Sequence, residues 1–342
     1  MADTRPPVYF DARSALSTRK TGWERYTRGM LSALSVHYPG VVSAGSITAE
    51  SLPRRIATDL WNVPREAGDR NVHMPSFPPH AWRFRSSTRM LYTLHDLTWW
   101  LYPETGTRAG QHYYRPMAEW LIRTKRPLCV VSESVKSEVV EYFQYPSDRI
   151  AVVSPGLSDV FGSTGLGVDN NHERPFFLCV ATLEPRKNLR RLIQAWKASG
   201  CAVSHDLVLV GRARERGQID AVPGLIYRAG LTDTDLGNLY RSACALVLPS
   251  LYEGFGLPII EAMSQRLPVI CSDLPVFREV AVDHATYFDP LNVEAIANAL
   301  KSGREKLPGF ALDQAREWSQ SYSWQKSARA QVLAYRKFGM IE

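Results

Sequence analysis

The stretch LYEGFGLPIIEAM, Leu251 to Met263, concentrates more chemistry than any other part of this 342-residue chain. It follows an apolar, strand-like run, Ala245–Leu248, and opens a helical pattern. Gly254 and Gly256 carry no Cβ, so backbone N–H groups beside them can come close to a bulky anion. Pro258 suits a first helical turn, where its missing N–H does no harm. A helix N-terminus behind such a loop carries partial positive charge and unpaired donors. The segment therefore reads as a diphosphate cradle. Two carboxylates flank it, Glu253 just before and Glu261 about one turn inside the helix. Acids beside a phosphate site make electrostatic sense only if they bind hydroxyl groups. They point to a ligand with hydroxyls on both sides of its diphosphate, a sugar on one and a ribose on the other. Either glutamate alone reads as well as a turn residue or a favourable first-turn acid; the pair around GFGLP does not.

A second segment, VATLEPRKN from Val180 to Asn188, again runs from strand to loop to helix. Arg186 and Lys187 stand at the loop-to-helix entry, where cations can neutralise phosphates and the charge that grows on a leaving diphosphate. By itself this is equally a solvated basic turn. His95 ends the apolar run Met90–Leu94; a lone histidine there is more often structural, and its HDL setting favours function. His73 and His80, in the Pro-rich loop from Met74 to Pro79, could line an acceptor side, but packed loop residues are the commoner case. Trp99, Trp100 and Tyr102 could stack on a sugar or a lipid-linked acceptor, although such clusters more often lie in a core.

Strand and helix patterns alternate around these segments, which points to α/β architecture with parallel sheets. In the first half the spacing predicts strands at Val8–Phe10, Met90–Leu94, Leu128–Val131 and Ile150–Val153, with a helix over Trp23–His37. In the second half it predicts strands at Phe176–Val180, Leu207–Val210, Leu225–Tyr227, Ala245–Leu248, Val269–Cys271 and Thr286–Phe288. Between them Gly156 to Arg174, rich in Gly, Ser, Asp and Asn, reads as a linker. The expected division is a first domain over 1–160 and a second over 174–321. Two such halves would place a ligand cleft between their strand C-terminal ends. The chain carries a net charge of +7, which suits anionic partners such as nucleotide diphosphates or an anionic membrane surface. No basic run marks a nucleic-acid patch, and no signal peptide or apolar span of transmembrane length appears. A cytoplasmic protein is expected, with the inner membrane face as a place for peripheral contact. Cys129, Cys179, Cys244 and Cys271 sit in or beside apolar runs, and no two cysteines have CxxC spacing. They read as reduced, buried thiols rather than metal ligands or disulfides.

The two glycine- and cation-bearing segments resemble the family 4 retaining glycosyltransferases, the group 1 family of GT-B fold. The resemblance rests on the E-x7-E spacing of Glu253 and Glu261 and on EPRKN, Glu184 to Asn188. It extends through LVGRA (Leu209–Ala213), RAGLTDTDLGNLY (Arg228–Tyr240) and, more loosely, HDLTWWLYPE (His95–Glu104) and TGWERY (Thr21–Tyr26). It implies two Rossmann-like domains facing across a cleft: an N-terminal acceptor domain, with the C-terminal helix 322–342 packed back on it, and a C-terminal nucleotide-sugar domain. By resemblance Glu253 would bind hydroxyls of the transferred sugar and Glu261 the ribose. Gly254, Phe255, Gly256 and Leu257 would face the phosphates and sugar. Lys187 would bind the diphosphate, and Arg186 would supply the cation that many members carry where this chain has Thr182. Gly211 and Arg212 would lie near the nucleotide, Gly230 and Leu231 beside the base, Gly22 near the donor phosphate, and His95 at the sugar.

The expected activity is transfer of a hexose, with retention, from a nucleotide-diphosphate sugar to a glycan, lipid-linked or small-molecule acceptor. The family lean is a GDP-mannose-like donor, with a UDP- or dTDP-sugar as the other choice. No cofactor and no metal are expected, and no nucleic-acid partner. A nucleotide-sugar epimerase of the same architecture is the alternative. An NAD-dependent dehydrogenase is disfavoured because Ala12 to Gly22 holds no G-x-G-x-x-G after the first strand.

Overall fold

The computed structural model describes residues 7–17, 22–45, 52–158, 161, 173–212, 222–303 and 308–342. Most of the expected linker, Gly156 to Arg174, lies outside these residues, as do Thr21 and Ala213. The chain forms two compact units. Unit 1 comprises Met1–Gly156 with Ser323–Glu342, and unit 2 comprises Leu157–Tyr322.

Unit 1 is a six-stranded sheet of β1 (Val8–Phe10), β2 (Val42–Ala44), β3 (Asn71–Met74), β4 (Met90–Leu94), β5 (Leu128–Val130) and β6 (Ile150–Val152), in the order β2-β1-β3-β4-β5-β6. All pairs are parallel. A parallel sheet needs crossover helices on its faces, so its inner strands are buried on both sides and read as continuous apolar runs. β1, β4 and β5 fit that rule, each buried at every position. Helix Gly22–His37 covers one face, and helix Trp324–Lys337 packs against it from the far end of the chain. The last helix is tied down by polar bonds. Ser327 Oγ donates to the Ser154 carbonyl at 2.6 Å, and Tyr335 Oη meets His73 Nδ1 at 2.6 Å.

β3 corrects one reading. His73 lies in this strand, fully buried, with Nε2 2.9 Å from Thr93 Oγ1. It belongs to the core and lines no acceptor. The strand is short, and the alternating polar residues of NVHM hide it among the prolines that follow.

Unit 2 carries β7 (Phe176–Val180), β8 (Asp206–Val210), β9 (Leu225–Arg228), β10 (Ala245–Leu248), β11 (Val269–Ser272) and β12 (Thr286–Phe288), in the order β12-β11-β10-β7-β8-β9. This sheet too is parallel throughout. Its core joins Phe177, Leu207, Val247 and Ile270 to Leu192 and Trp196 of helix Leu189–Ala198 and to Ile296 and Leu300 of helix Val293–Ser302. Two further helices, Pro275–Ala281 and Gly309–Ser319, occupy stretches whose sequence shows no strong period. All five cysteines are free thiols; Cys129, Cys179, Cys201 and Cys271 are buried and Cys244 is half-buried.

Candidate active site

In an open α/β sheet the ligand crevice forms where strand order reverses, at the carboxyl ends of the two strands that diverge there. In unit 2 the chain builds β7, β8 and β9 outward in one direction, then returns to lay β10 on the other side of β7. The switch point therefore lies after β7 and β10. The loop after β7 is Ala181–Asn188, which holds EPRKN; the loop after β10 is Pro249–Gly256, which holds EGFG.

Backbone and side-chain bonds lock these loops together. Asn188 adopts a left-handed conformation at φ 57°, which asparagine tolerates better than most residues. Its amide donates to the carbonyls of Pro249 and Pro290 at 3.0 and 2.7 Å. The Leu251 N–H donates to the Arg186 carbonyl at 2.7 Å. On this frame Glu253 accepts from Lys187 Nζ at 2.5 Å and Ser250 Oγ at 2.8 Å through Oε1, and from Arg186 at 3.3 Å through Oε2. Arg186 also donates to Glu184 at 3.0 Å and to the Tyr252 carbonyl at 3.1 Å. Burial alone would raise the Glu253 carboxyl, but the Lys187 ammonium and Arg186 guanidinium overcome it and hold the group down at about 2. Lys187 moves the other way. Burial and then the neighbouring Arg186 lower its proton affinity, and Glu253 restores only part of it. The result is a dense polar site with two cations on one carboxylate.

Gly256, the residue before helix Leu257–Ser264, has φ 121°, a conformation that side chains resist. A Cβ there would sit 3.1 Å from the Phe277 ring. Gly254 and Phe255 are buried just before it and Leu257 is partly exposed. Glu261, in the same helix, is 3% exposed and accepts a 2.8 Å bond from Tyr240 Oη. Tyr240 is a partner that the sequence did not single out; its signal was only its place in the Arg228–Tyr240 segment, 21 residues before Glu261. Ser250 and Asn188 were equally unassigned, and Asn188 stood in plain view in EPRKN.

The ends of β8 and β9 border the same edge. Gly211 follows β8, and a Cβ there would fall 1.9 Å from the Ala181 carbonyl oxygen, so only glycine lets the two loops pass. The Leu183 N–H donates to the Arg212 carbonyl at 2.9 Å. Gly230, at φ 72°, and Leu231 lead from β9 into helix Asp233–Ser242. Asp233 and Asp235 have the Asp-x-Asp spacing that a metal site can use, but the structure spends it on the helix start. Asp235 and Thr232 form a reciprocal capping box. Among the described residues no three His, Cys, Asp or Glu side chains gather as metal ligands.

Gly22 and His95 belong to unit 1. Gly22 opens helix Gly22–His37. His95 follows β4, is 9% exposed, and donates from Nε2 to the Pro75 carbonyl at 2.7 Å. Burial lowers its proton affinity, so the ring is neutral and Nδ1 is its acceptor end. Trp23 stacks on it with ring centres 5.6 Å apart, and Tyr26 meets it edge-on at 4.9 Å. Trp100 lies in the core, 9% exposed, with its indole N–H on Glu119 at 3.0 Å.

Comparison with known proteins accounts for both units. The model described as glycosyl transferases group 1 matches residues 168–305, and the one described as Glycosyltransferase Family 4 matches 36–159. The O-antigen chain mannosyltransferase B of Escherichia coli is 31% identical over 310 residues, spanning 83% of this chain and 77% of that protein. The O-antigen chain mannosyltransferase RfbU of Salmonella typhimurium is 29% identical over 226 residues, 63% of this chain and 61% of that protein. Among solved structures, the lipopolysaccharide glycosyltransferase WaaG aligns with TM-score 0.69 at 16% identity, covering 97% of this chain and 100% of its own. The sucrose-phosphate synthase of Thermosynechococcus elongatus aligns with TM-score 0.69 at 18% identity, covering 98% and 99%. These structural likenesses establish the GT-B fold. The epimerase alternative gains nothing from them. A carboxylate–cation cluster at the switch point of one sheet, the E-x7-E spacing around it, and relatives alike over most of their length converge on one assignment: the chain is a glycosyltransferase of the group 1 family.

Proposed function

We propose that this enzyme transfers a mannosyl residue, with retention, from a GDP-mannose-like donor to a glycan or lipid-linked saccharide. The observation that carries the reading is the cluster of Lys187, Arg186 and Glu253 where the strand order of unit 2 reverses. Two cations there suit a diphosphate, and a carboxylate held ionised beside them suits sugar hydroxyls. The two relatives described above are named as mannosyltransferases, which supports the choice of sugar. Both glutamates are assigned to hydroxyls, leaving no carboxylate pair for double displacement. Retention then follows from front-face attack, in which the departing phosphate oxygen takes the acceptor proton. The protein contributes positioning and charge stabilisation. Lys187 and Arg186 supply the positive charge, and the neutral His95 orients the chain at Pro75.

Thermal shift across GDP-, UDP- and dTDP-sugars tests the donor, because a ligand at 100 times its Kd stabilises by about 2.7 kcal/mol. Proton NMR of the first product formed reads the anomeric configuration. No stabilisation by any sugar nucleotide, or an inverted product, would overturn the corresponding part.

A membrane-side location is a second element of the proposal. Arg89, Lys125, Arg126, Arg149, Arg336 and Lys337 surround a depression of about 850 Å³ in unit 1, against the single acid Asp148. It lies at the amino ends of β4 and β6, opposite His95 on the sheet. Such a basic face would be drawn to anionic headgroups at roughly 1 kcal/mol per cation. Salt-sensitive co-flotation with phosphatidylglycerol vesicles is expected; equal flotation with phosphatidylcholine would refute it.

A further inference from the structure

The switch-point rule applies to unit 1 as well. Its order β2-β1-β3-β4 reverses between β1 and β3, so a ligand crevice belongs after Phe10 and after Met74. The residues there are unusual. Arg13, which follows β1, is buried and bonds Asp11 at 2.7 Å and Asp59 at 2.6 Å. Its guanidinium lies 5.4 Å from the ring of Phe77, in the loop after β3. Asp59 accepts from Tyr113 Oη at 3.2 Å, and Tyr113 Oη lies 2.7 Å from His80 Nε2. Because Tyr113 gives its proton to Asp59, His80 Nε2 must donate to the phenol oxygen. His80 Nδ1 then remains an acceptor.

This network braces a chain of rings in which His95 and Tyr114 are buried and Trp23, Phe77, Tyr113 and His80 are half-buried. From His95 the rings run through Trp23 at 5.6 Å to Phe77 at 6.3 Å, then by way of Tyr114 at 5.0 Å and Tyr113 at 4.9 Å to His80 at 5.3 Å and Trp82 at 6.0 Å. Beyond Trp82, the Arg83 guanidinium is 5.3 Å from that ring and 5.8 Å from Trp61. Arg83 Nε is clamped on the Leu60 carbonyl at 2.6 Å. Trp82 and Trp61 are 68% and 57% exposed, although Arg83 lies against both rings. Two large apolar faces kept in water on a braced frame are a feature that needs an explanation.

We propose that this track binds an oligosaccharide acceptor, with the reacting sugar near His95 and a sugar farther along the chain on Trp82 and Trp61. The inference rests on the glycosyltransferase reading and adds to it the acceptor's class and length. Indole faces carry negative potential and meet the slightly positive C–H face of a pyranose. Arg83 lies between those faces, and His80, with Nδ1 as its acceptor, stands beside Trp82; both match hydroxyls at the sugar's rim. A lipid surface would ask for contiguous apolar area without these interleaved polar groups. A path of six ring-to-ring steps is also more than one pyranose covers, so the enzyme should favour acceptors of several sugars over a single one.

The test is titration of the whole protein with α-linked mannotriose and with methyl α-mannoside, read by tryptophan fluorescence and calorimetry, without donor. GDP titration in parallel reads unit 2. Mannotriose should bind at least tenfold more tightly than the monosaccharide. Trp82→Ala and Trp61→Ala should each weaken mannotriose tenfold or more and erase that preference, Trp82→Tyr should restore part of it, and GDP affinity should hold. Both positions are exposed, and circular dichroism melting curves that match wild type show that unit 1 of each variant is folded, while GDP binding reads unit 2. Mannotriose binding equal in wild type and both alanine variants would overturn the proposal, as would no binding at millimolar concentration. Trp82-dependent binding to phosphatidylglycerol vesicles with no effect on mannotriose would overturn it in favour of a membrane contact. Failure of GDP to bind would instead strike the donor reading, and the mannotriose arm would still judge the track.

Discussion

Replacing Glu253 by glutamine should tighten the binding of bare nucleoside diphosphate while crippling sugar transfer. From the sequence alone the first effect is invisible: a residue that touches only the sugar should leave the diphosphate unaffected. In the structure the Glu253 carboxylate occupies both cations that a diphosphate would use, Lys187 at 2.5 Å and Arg186 at 3.3 Å. An incoming diphosphate must share or displace these bonds. Charge-assisted hydrogen bonds are each worth about 1.5–3 kcal/mol. Removing the competing charge should return about one of them to the ligand, roughly a 10- to 100-fold gain in affinity at 1.4 kcal/mol per tenfold. The cost falls on the empty protein. Breaking one partner of a buried pair costs about 3–5 kcal/mol when nothing replaces it. Glutamine keeps one acceptor oxygen, so a loss near the lower end is expected. Calorimetry with GDP and with the intact sugar nucleotide, beside melting curves of both proteins, measures the two effects. Unchanged or weaker GDP binding by a folded Glu253→Gln protein would refute the competition between carboxylate and diphosphate.

Lys187→Ala should weaken donor binding on the order of 10–150-fold, one charge-assisted contact, and Arg186→Ala should have a similar effect if it replaces the cation absent at Thr182; steady-state kinetics on both variants decides. Gly211→Ala should destabilise unit 2 by at least the ~1–3 kcal/mol typical of overpacking, since its Cβ would fall 1.9 Å from the Ala181 carbonyl oxygen; chemical denaturation reads the loss. Burial holds the His73 imidazole at about 3, well below its ordinary 6.5. Between those values the unfolded chain takes up a proton that the folded one refuses, so stability present above pH 6.5 should fall with acid by about 1.4 kcal/mol per pH unit. A His73→Asn variant should be less stable at neutral pH but show a shallower acid slope, and an unchanged slope would contradict the assignment.

The sequence by itself determined the elements whose pattern is strong. Phe176–Val180 and Ala245–Leu248 are inner parallel strands, and burial on both faces leaves them uninterrupted apolar runs that composition alone identifies. The paired glutamates and EPRKN were equally legible, because charged groups and glycines beside strand ends have few structural uses. Tertiary structure decided what spacing cannot encode. β3 was hidden because NVHM alternates polar residues whose partners, Tyr335 and Thr93 for His73 and Met340 and Arg89 for Asn71, come from other parts of the chain. The clamping of Glu253 by Lys187, 66 residues away, depends on β10 returning to lie beside β7. That strand order is set by how crossover helices pack, and no local pattern records it. The aromatic track has the same origin. Trp23, Phe77, His80, Tyr113 and Trp82 are scattered single residues in the sequence, and only the reversal of strand order between β1 and β3 gathers them at one edge of a sheet.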